Sequence, residues 1–216
     1  MIIYITGIDG SGKSTIADKL AKDILRDKKT IYLWARYQPK IVKFLISPFK
    51  RNYVSDPAND HIMNAAQLTR WLIFKKKITK SYLVSKITYL IQSVDYYLQL
   101  KKVVKKIEDN KDNNIIIDRM YLDFIVDQSI NYGDISDRYF TKIFLNRLEK
   151  LDYIFYIDVD DEIALRRKAD IPSLEYLKGK RKYYKQYIEM LDNAYIIKNN
   201  NNISDTMKEI QHLLEA

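Results

Sequence analysis

Short apolar runs alternate with longer segments of helical spacing along the chain. Ile2 to Thr6, Thr30 to Trp34, Asn114 to Ile117, Tyr153 to Ile157 and Ala194 to Lys198 are brief and rich in β-branched and aromatic residues, which predicts five strands. Ile16, Leu20 and Ile24 recur at helical spacing within Ile16 to Leu25, so a helix is expected soon after the first strand. Further helices are predicted over Ala58 to Lys76, Ser81 to Glu108, Tyr139 to Leu148, Leu174 to Leu191 and Asp205 to Leu214. Parallel neighbours need a crossover long enough to hold a helix, so strands alternating with helices predict a parallel sheet. The expected fold class is α/β, a three-layer sandwich with a central five-stranded parallel sheet and ligands at the carboxyl ends of the strands.

Length and composition narrow the class without naming a function. The chain has 216 residues, which at roughly 150 per domain suits one domain. At 47% hydrophobic and 30% charged it can bury a sizeable core. Ile41 to Pro48 is interrupted by Lys43 and the run from Ile87 to Leu100 carries Asp95, so neither reaches the roughly 20 apolar residues of a membrane helix. No basic leader precedes the first apolar residues, so no signal peptide is expected and a cytoplasmic protein is. With no cysteine there is neither a disulfide nor a thiolate nucleophile. The net charge of +9 raises the question of nucleic acid. Its lysines fall on helix-like segments, for example Lys101, Lys102, Lys105 and Lys106, where a solvated outer face explains them, and nucleic acid is not expected as a partner.

Glycine carries more information. The chain has 5 glycines, and Gly7, Gly10 and Gly12 follow directly on the first predicted strand. Gly7-Ile8-Asp9-Gly10-Ser11-Gly12-Lys13-Ser14-Thr15 satisfies the phosphate-loop pattern GxxxxGK[ST] in the strand, loop, helix order that the mechanism requires. Glycines let the backbone curl so that successive N–H groups and the positive end of the helix meet phosphate oxygens. Lys13 is expected to reach the outer phosphates and the Ser14 hydroxyl to ligate Mg2+. A glycine turn that merely joined a strand to a helix would need neither.

The spacing of the strands separates the phosphate-loop classes. Roughly 80 residues divide the second predicted strand from the third, far more than a simple crossover needs, and this insertion is a natural acceptor-binding region. A guanine-reading Asn-Lys-x-Asp after a late strand is missing; Asn110-Lys111-Asp112-Asn113 lacks the final aspartate and precedes the third strand. No second signature of a transporter ATPase is found. A small-molecule or nucleotide kinase remains. At the tip of the third strand stands Asp118-Arg119, where a carboxylate can reach a Mg2+ shell and a guanidinium can bind a phosphoryl oxygen.

Together the GIDGSGKST loop, Asp118-Arg119 and the run Tyr156-Ile157-Asp158-Val159-Asp160-Asp161-Glu162-Ile163-Ala164-Leu165-Arg166-Arg167 resemble thymidylate kinase and its relatives among nucleoside monophosphate kinases. The resemblance implies one kinase domain over residues 1–216, with a helical acceptor-binding region at about 35–110 and a short lid at about 166–176. It implies ATP and Mg2+, a nucleotide acceptor with dTMP first, and a homodimer. Asp9 matches the acidic position facing the acceptor sugar, Arg119 the arginine that holds donor and acceptor phosphates, and Arg36 an acceptor-phosphate arginine. Arg166 and Arg167 open the lid segment, and its arginines close over the transferring group. Loop residues 7–15 with Arg166 would hold the donor, Ser14 and Asp118 the metal.

The departures from that family concern the acceptor. Where the family carries an Asp-Arg pair ahead of the third strand, this chain reads Asp95-Tyr96, and Arg70 is the candidate substitute. The family's Tyr-Gln is Asp127-Gln128, which leaves Gln128 as a substrate-binding candidate and a carboxylate in place of a ring; its aromatic after Asp-Arg is Met120. A nucleoside or other small-alcohol kinase on the same fold, and a nucleotide-binding module with little turnover, are the alternative readings. Asp158, Asp160 and Asp161 read as caps of the next helix. His61 and His212 are isolated, Lys178 to Lys185 is a charged helical stretch, and the 18 tyrosines read as packing residues.

Overall fold

Five strands, β1 (Ile2–Thr6), β2 (Thr30–Trp34), β3 (Asn114–Asp118), β4 (Tyr153–Asp158) and β5 (Ala194–Lys198), form one parallel sheet in the order β2-β3-β1-β4-β5. The computed structural model describes residues 1–26, 28–41, 69, 70, 73, 81–168 and 170–215. Described helices are α1 (Lys13–Lys19), α2 (Tyr82–Glu108), α3 (Tyr121–Tyr132), α4 (Tyr139–Leu148), α5 (Asp161–Arg167), α6 (Leu174–Ile188) and α7 (Ile203–Glu215). No helix among the described residues is long and apolar enough to cross a membrane.

Alternation along β1 sorts the helices into two layers. Ile3 and Ile5 pack with Ile16, Leu20 and Ile210 of the α1 and α7 side, whereas Tyr4 joins Leu100, Phe124 and Tyr184 on the opposite face. A central parallel strand buried on both faces is apolar through its middle, as Ile2–Ile5 of β1 and Ile115–Ile117 of β3 are. Ile5 lies opposite Asp118, and Asp118 lies opposite Trp34, so the tips of β1, β2 and β3 converge where the glycine loop leaves the sheet.

The structure places every expected strand and adjusts several boundaries. β3 and β4 each run one residue further, which puts Asp118 and Asp158 in strands. α1 begins at Lys13, where the glycine loop needs a positive helix end, and passes into a π turn over Leu20–Ile24, closed where the Leu25 amide donates to the Leu20 carbonyl at 3.0 Å. α6 stops at Ile188, short of Leu191, and α7 begins at Ile203. α3 was not among the expected helices. Eight of its twelve residues are buried and none is exposed, so it has no solvent-facing stripe to reveal a helical period. The helix expected over 58–76, and His61 within it, lie outside the described residues except for the helical Thr69, Arg70 and Ile73.

Candidate active site

The glycine loop adopts the backbone that its composition allows. Gly7, Gly10 and Gly12 all have positive φ, at 147°, 83° and 89°. At Gly10 a Cβ would stand 2.5 Å from the Ala164 carbonyl oxygen, so only glycine lets the loop rest on α5. The first amides of α1 have no intrahelical acceptor and are available to an anion. Lys13 is buried and folds back, its ammonium donating to the carbonyls of Gly7 at 2.8 Å and Ile8 at 2.6 Å and to Ser11 Oγ at 3.3 Å. Burial, then the Arg119 charge, bring its pKa down to about 8, against the opposing pull of Asp9, Asp123 and Asp118.

At the end of β3, Asp118 Oδ2 accepts from Ser14 Oγ at 3.2 Å and from the Tyr32 hydroxyl at 2.5 Å. Burial, then the bond to Asp118, push the Tyr32 pKa upward, so this hydroxyl stays protonated and donating. Asp118 Oδ1 is buried with no hydrogen-bond partner among the described residues. A carboxylate oxygen with open lone pairs beside a serine hydroxyl suits a hard cation such as Mg2+. Among the described residues no cluster of three or more His, Cys, Asp or Glu forms a cage for an ion.

Asp9 is the electrostatic centre of the site. Arg119 donates to its Oδ1 at 2.7 Å, Lys180 from α6 to its Oδ2 at 3.2 Å, and Lys168 approaches Oδ1 at 3.7 Å. Burial alone would raise the Asp9 pKa; Lys180, Arg119 and Lys13 outweigh it and hold the carboxylate well below its ordinary value. Arg119 sits at φ 62°, the left-handed region that arginine avoids. Behind it, Asp123 accepts from the hydroxyls of Tyr4 at 2.5 Å, Tyr184 at 2.8 Å and Thr6 at 3.2 Å, and from the Met120 amide at 3.1 Å. Its Oδ1 also lies 3.8 Å from the Arg119 guanidinium. Asp123→Leu strands these donors in the core. It should cost about 3–5 kcal/mol of unfolding free energy, measured by urea titration.

Other expected site residues are more dispersed. Arg167 donates to the Asn199 carbonyl at 3.1 Å, and Asn199 in turn donates to the Ser11 carbonyl at 2.8 Å, which ties the end of α5 to the loop. Arg166 is exposed on α5, and Lys168 is the lid-segment residue that reaches Asp9. Arg36 is exposed, one residue beyond Ala35, whose amide donates to the carbonyls of Asp118 and Arg119 at 3.2 Å. Arg70 is exposed and helical, and the described residues bring it to none of these groups. Gln128 is buried on α3 with its Oε1 unpartnered among the described residues. Asp95 accepts from the amides of Lys40 and Ile41 and from the Tyr37 hydroxyl, while Tyr96 is buried and donates to the Ala35 carbonyl. These two residues therefore anchor the segment after β2 and put no cation there.

Of the three acids expected to cap the next helix, Asp160 is the N-cap of α5 and Asp161 lies in its first turn, but Asp160 makes no side-chain cap bond and Asp158 belongs to β4. Asp158 instead takes a bidentate contact from Arg181 at 2.8 and 3.0 Å, and Asp160 and Asp161 each lie 3.7 Å from the same guanidinium. Arg181 and Lys180 belong to the charged stretch of α6, which turns inward rather than serving only as a solvated face. Charge along a helix did not reveal this, because the partner carboxylates come from distant segments.

Strand order, glycine loop and the Asp-Arg tip of β3 define the phosphate-loop fold of nucleoside and nucleotide kinases. Two solved structures share it across nearly the whole chain. Thymidylate kinase from Candida albicans, described for its broad substrate specificity, has a TM-score of 0.59 and 16% identity over 99% of this chain and 90% of its own. Deoxyadenosine kinase from M. mycoides, solved with bound dATP, has a TM-score of 0.57 and 18% identity over 100% of both chains. No protein-family model and no curated protein matches the sequence.

Proposed function

We propose that the protein is a Mg2+-dependent cytoplasmic kinase that transfers the γ-phosphoryl group of ATP to a nucleoside monophosphate, with dTMP the first acceptor to test. The observation that carries this reading is the meeting of Asp9, Lys13, Ser14, Asp118 and Arg119 at the tips of β1 and β3. Lys13 exchanges the loop carbonyls for donor phosphate oxygens, and the loop amides complete the cradle. Arg119 neutralises charge on the transferring group, and Asp9 accepts a hydrogen bond from the acceptor sugar. Ser14 and Asp118 would hold Mg2+, which when bound supplies charge neutralisation across the donor phosphates. An acceptor oxygen forms the new bond to the γ-phosphorus as the bond to the β-phosphate bridging oxygen breaks, releasing ADP. Lys168, Arg166 and Arg167 line or flank the segment that excludes water over the site. On the exposed side of α2, Leu83, Ile87, Leu90, Val94 and Leu98 form an apolar stripe, which among the described residues is the surface best suited to the homodimer.

One observation favours a second acceptor class. With Tyr96 buried against the Ala35 carbonyl, the position of the family's acceptor arginine is uncharged, as an acceptor without a phosphate would require. ADP release from Mg·ATP, measured against dTMP, dUMP, UMP, CMP, AMP and GMP and the matching nucleosides, tests both readings. Stimulation by a monophosphate supports the first, and stimulation by nucleosides alone replaces it with the second. ATP binding without stimulation by any acceptor in the panel refutes both and leaves a binding module.

A further inference from the structure

Lys180 has no part in the reaction as derived above, yet it is among the most deeply buried charges of the chain, with a side chain 1% exposed. Its ammonium lies 2.8 Å from Asp127 Oδ1 and 3.2 Å from Asp9 Oδ2, and 5.3 Å over the Tyr176 ring. One cation from α6 thus joins the carboxylate of the glycine loop to a carboxylate on α3. Asp127 differs from its partner in access: a third of its side chain remains open. The next residue, Gln128, keeps an unpartnered oxygen.

Packing does not require this arrangement. Apolar side chains of similar volume at 127 and 180 would join α3 to α6 at least as well, because a buried ion pair seldom exceeds the desolvation it costs. The ammonium does something that an apolar residue does not. It sets one cation between two neighbouring carboxylates and so fixes Asp127 beside Asp9. Burial opposes the charge on Lys180, but Asp127, Tyr176 and Asp9 outweigh it. The cations at Asp9 and Asp127 are already engaged, so the open third of the Asp127 side chain offers a hydrogen-bond acceptor to a ligand that brings donors.

We propose that Asp127, held in place by Lys180, is a specificity-determining hydrogen-bond acceptor that takes an O–H of the acceptor's sugar or an N–H of its base, alongside Asp9. Lys180 is then a positioning residue. The inference rests on the kinase reading and adds to it which part of the cleft selects the acceptor.

The test compares wild type, Asp127→Asn, Lys180→Met and the double variant Lys180→Met/Asp127→Leu, with kcat and KM measured separately for acceptor and Mg·ATP. The pairs UMP with dUMP, and dTMP with its base-N-methylated analogue, separate a sugar hydroxyl from a base N–H. Asp127→Asn and Lys180→Met should each raise the acceptor KM about tenfold, while kcat and the Mg·ATP KM stay within about twofold. The double variant should melt no lower than wild type and show the same rise in acceptor KM, separating recognition from packing. Wild type should discriminate within one of the two pairs, and Asp127→Asn should erase that discrimination. The proposal is overturned if Asp127→Asn leaves the acceptor KM unchanged, if wild type discriminates within neither pair, or if the Mg·ATP KM rises as far as that of the acceptor. Failure of the kinase reading is distinguishable, because wild type itself would then transfer to no acceptor, and the inference would fall with it.

Discussion

Lys13→Ala should lower the rate of phosphoryl transfer about 1000-fold in a protein that still folds. The side chain closes the loop on itself in the free protein, through the Gly7 and Ile8 carbonyls, and its next partners are the donor's outer phosphates. Alanine loses both contacts, yet the positive φ values of Gly7, Gly10 and Gly12 keep the loop's path. Wild-type-like transfer by a folded alanine variant, judged by melting and circular dichroism, would overturn the mechanism. The lowered pKa of Lys13, about 8, adds a signature. In the unfolded chain a lysine titrates near its ordinary, higher value, so between about pH 8 and 10 the unfolded state binds more protons. The stability cost of burying this charge therefore fades as pH rises through that window. Phosphates draw the proton back, so Mg·ATP binding should take up more proton at pH 8.5 than at pH 6.5. Calorimetry in buffers of different ionisation enthalpy measures it.

Replacing Arg119 should be equally damaging, with a loss of about 1000-fold or more, because a guanidinium on the transferring group stabilises the transition state most. The backbone offers a control. At φ 62° an alanine keeps the left-handed strain and a glycine does not. Arg119→Gly should therefore be more stable than Arg119→Ala by up to about 1 kcal/mol in urea unfolding, with no difference in the activity lost. Equal stability would show that the left-handed backbone carries no strain. Retained activity in either variant would remove Arg119 from the reaction.

Much of this site is readable without coordinates because it is local. A glycine loop encodes its curvature in residue spacing and its chemistry in the adjoining Lys13 and Ser14, so eight consecutive residues suffice. The Asp118-Arg119 tip is similar, since a polar pair ending an apolar strand marks the ligand edge of a parallel sheet. What escapes is tertiary. Nothing in the sequence marks Asp123 until Tyr4, Thr6 and Tyr184 arrive from β1 and α6. Tyr32 looks like strand packing until its hydroxyl meets Asp118. Lys180 looks like one lysine among many on a charged helix, and only the fold shows that one carboxylate partner lies 171 residues away in the loop and the other on α3.

The strand order also sets a timetable for synthesis. β1 hydrogen-bonds to β3 and β4 but not to β2, and β2 pairs only with β3. While the chain leaves the ribosome, the first two strands emerge early and wait unpaired until Asn114–Asp118 follows them. The glycine loop is born with its motif complete, but with no sheet beneath it. Non-local pairing of this kind is slow and leaves apolar edges open to other chains. The nascent chain thus gains its nucleotide cradle late: β3 inserts between β1 and β2, and the supports of the glycine loop at Ala164 and Asn199 follow later still.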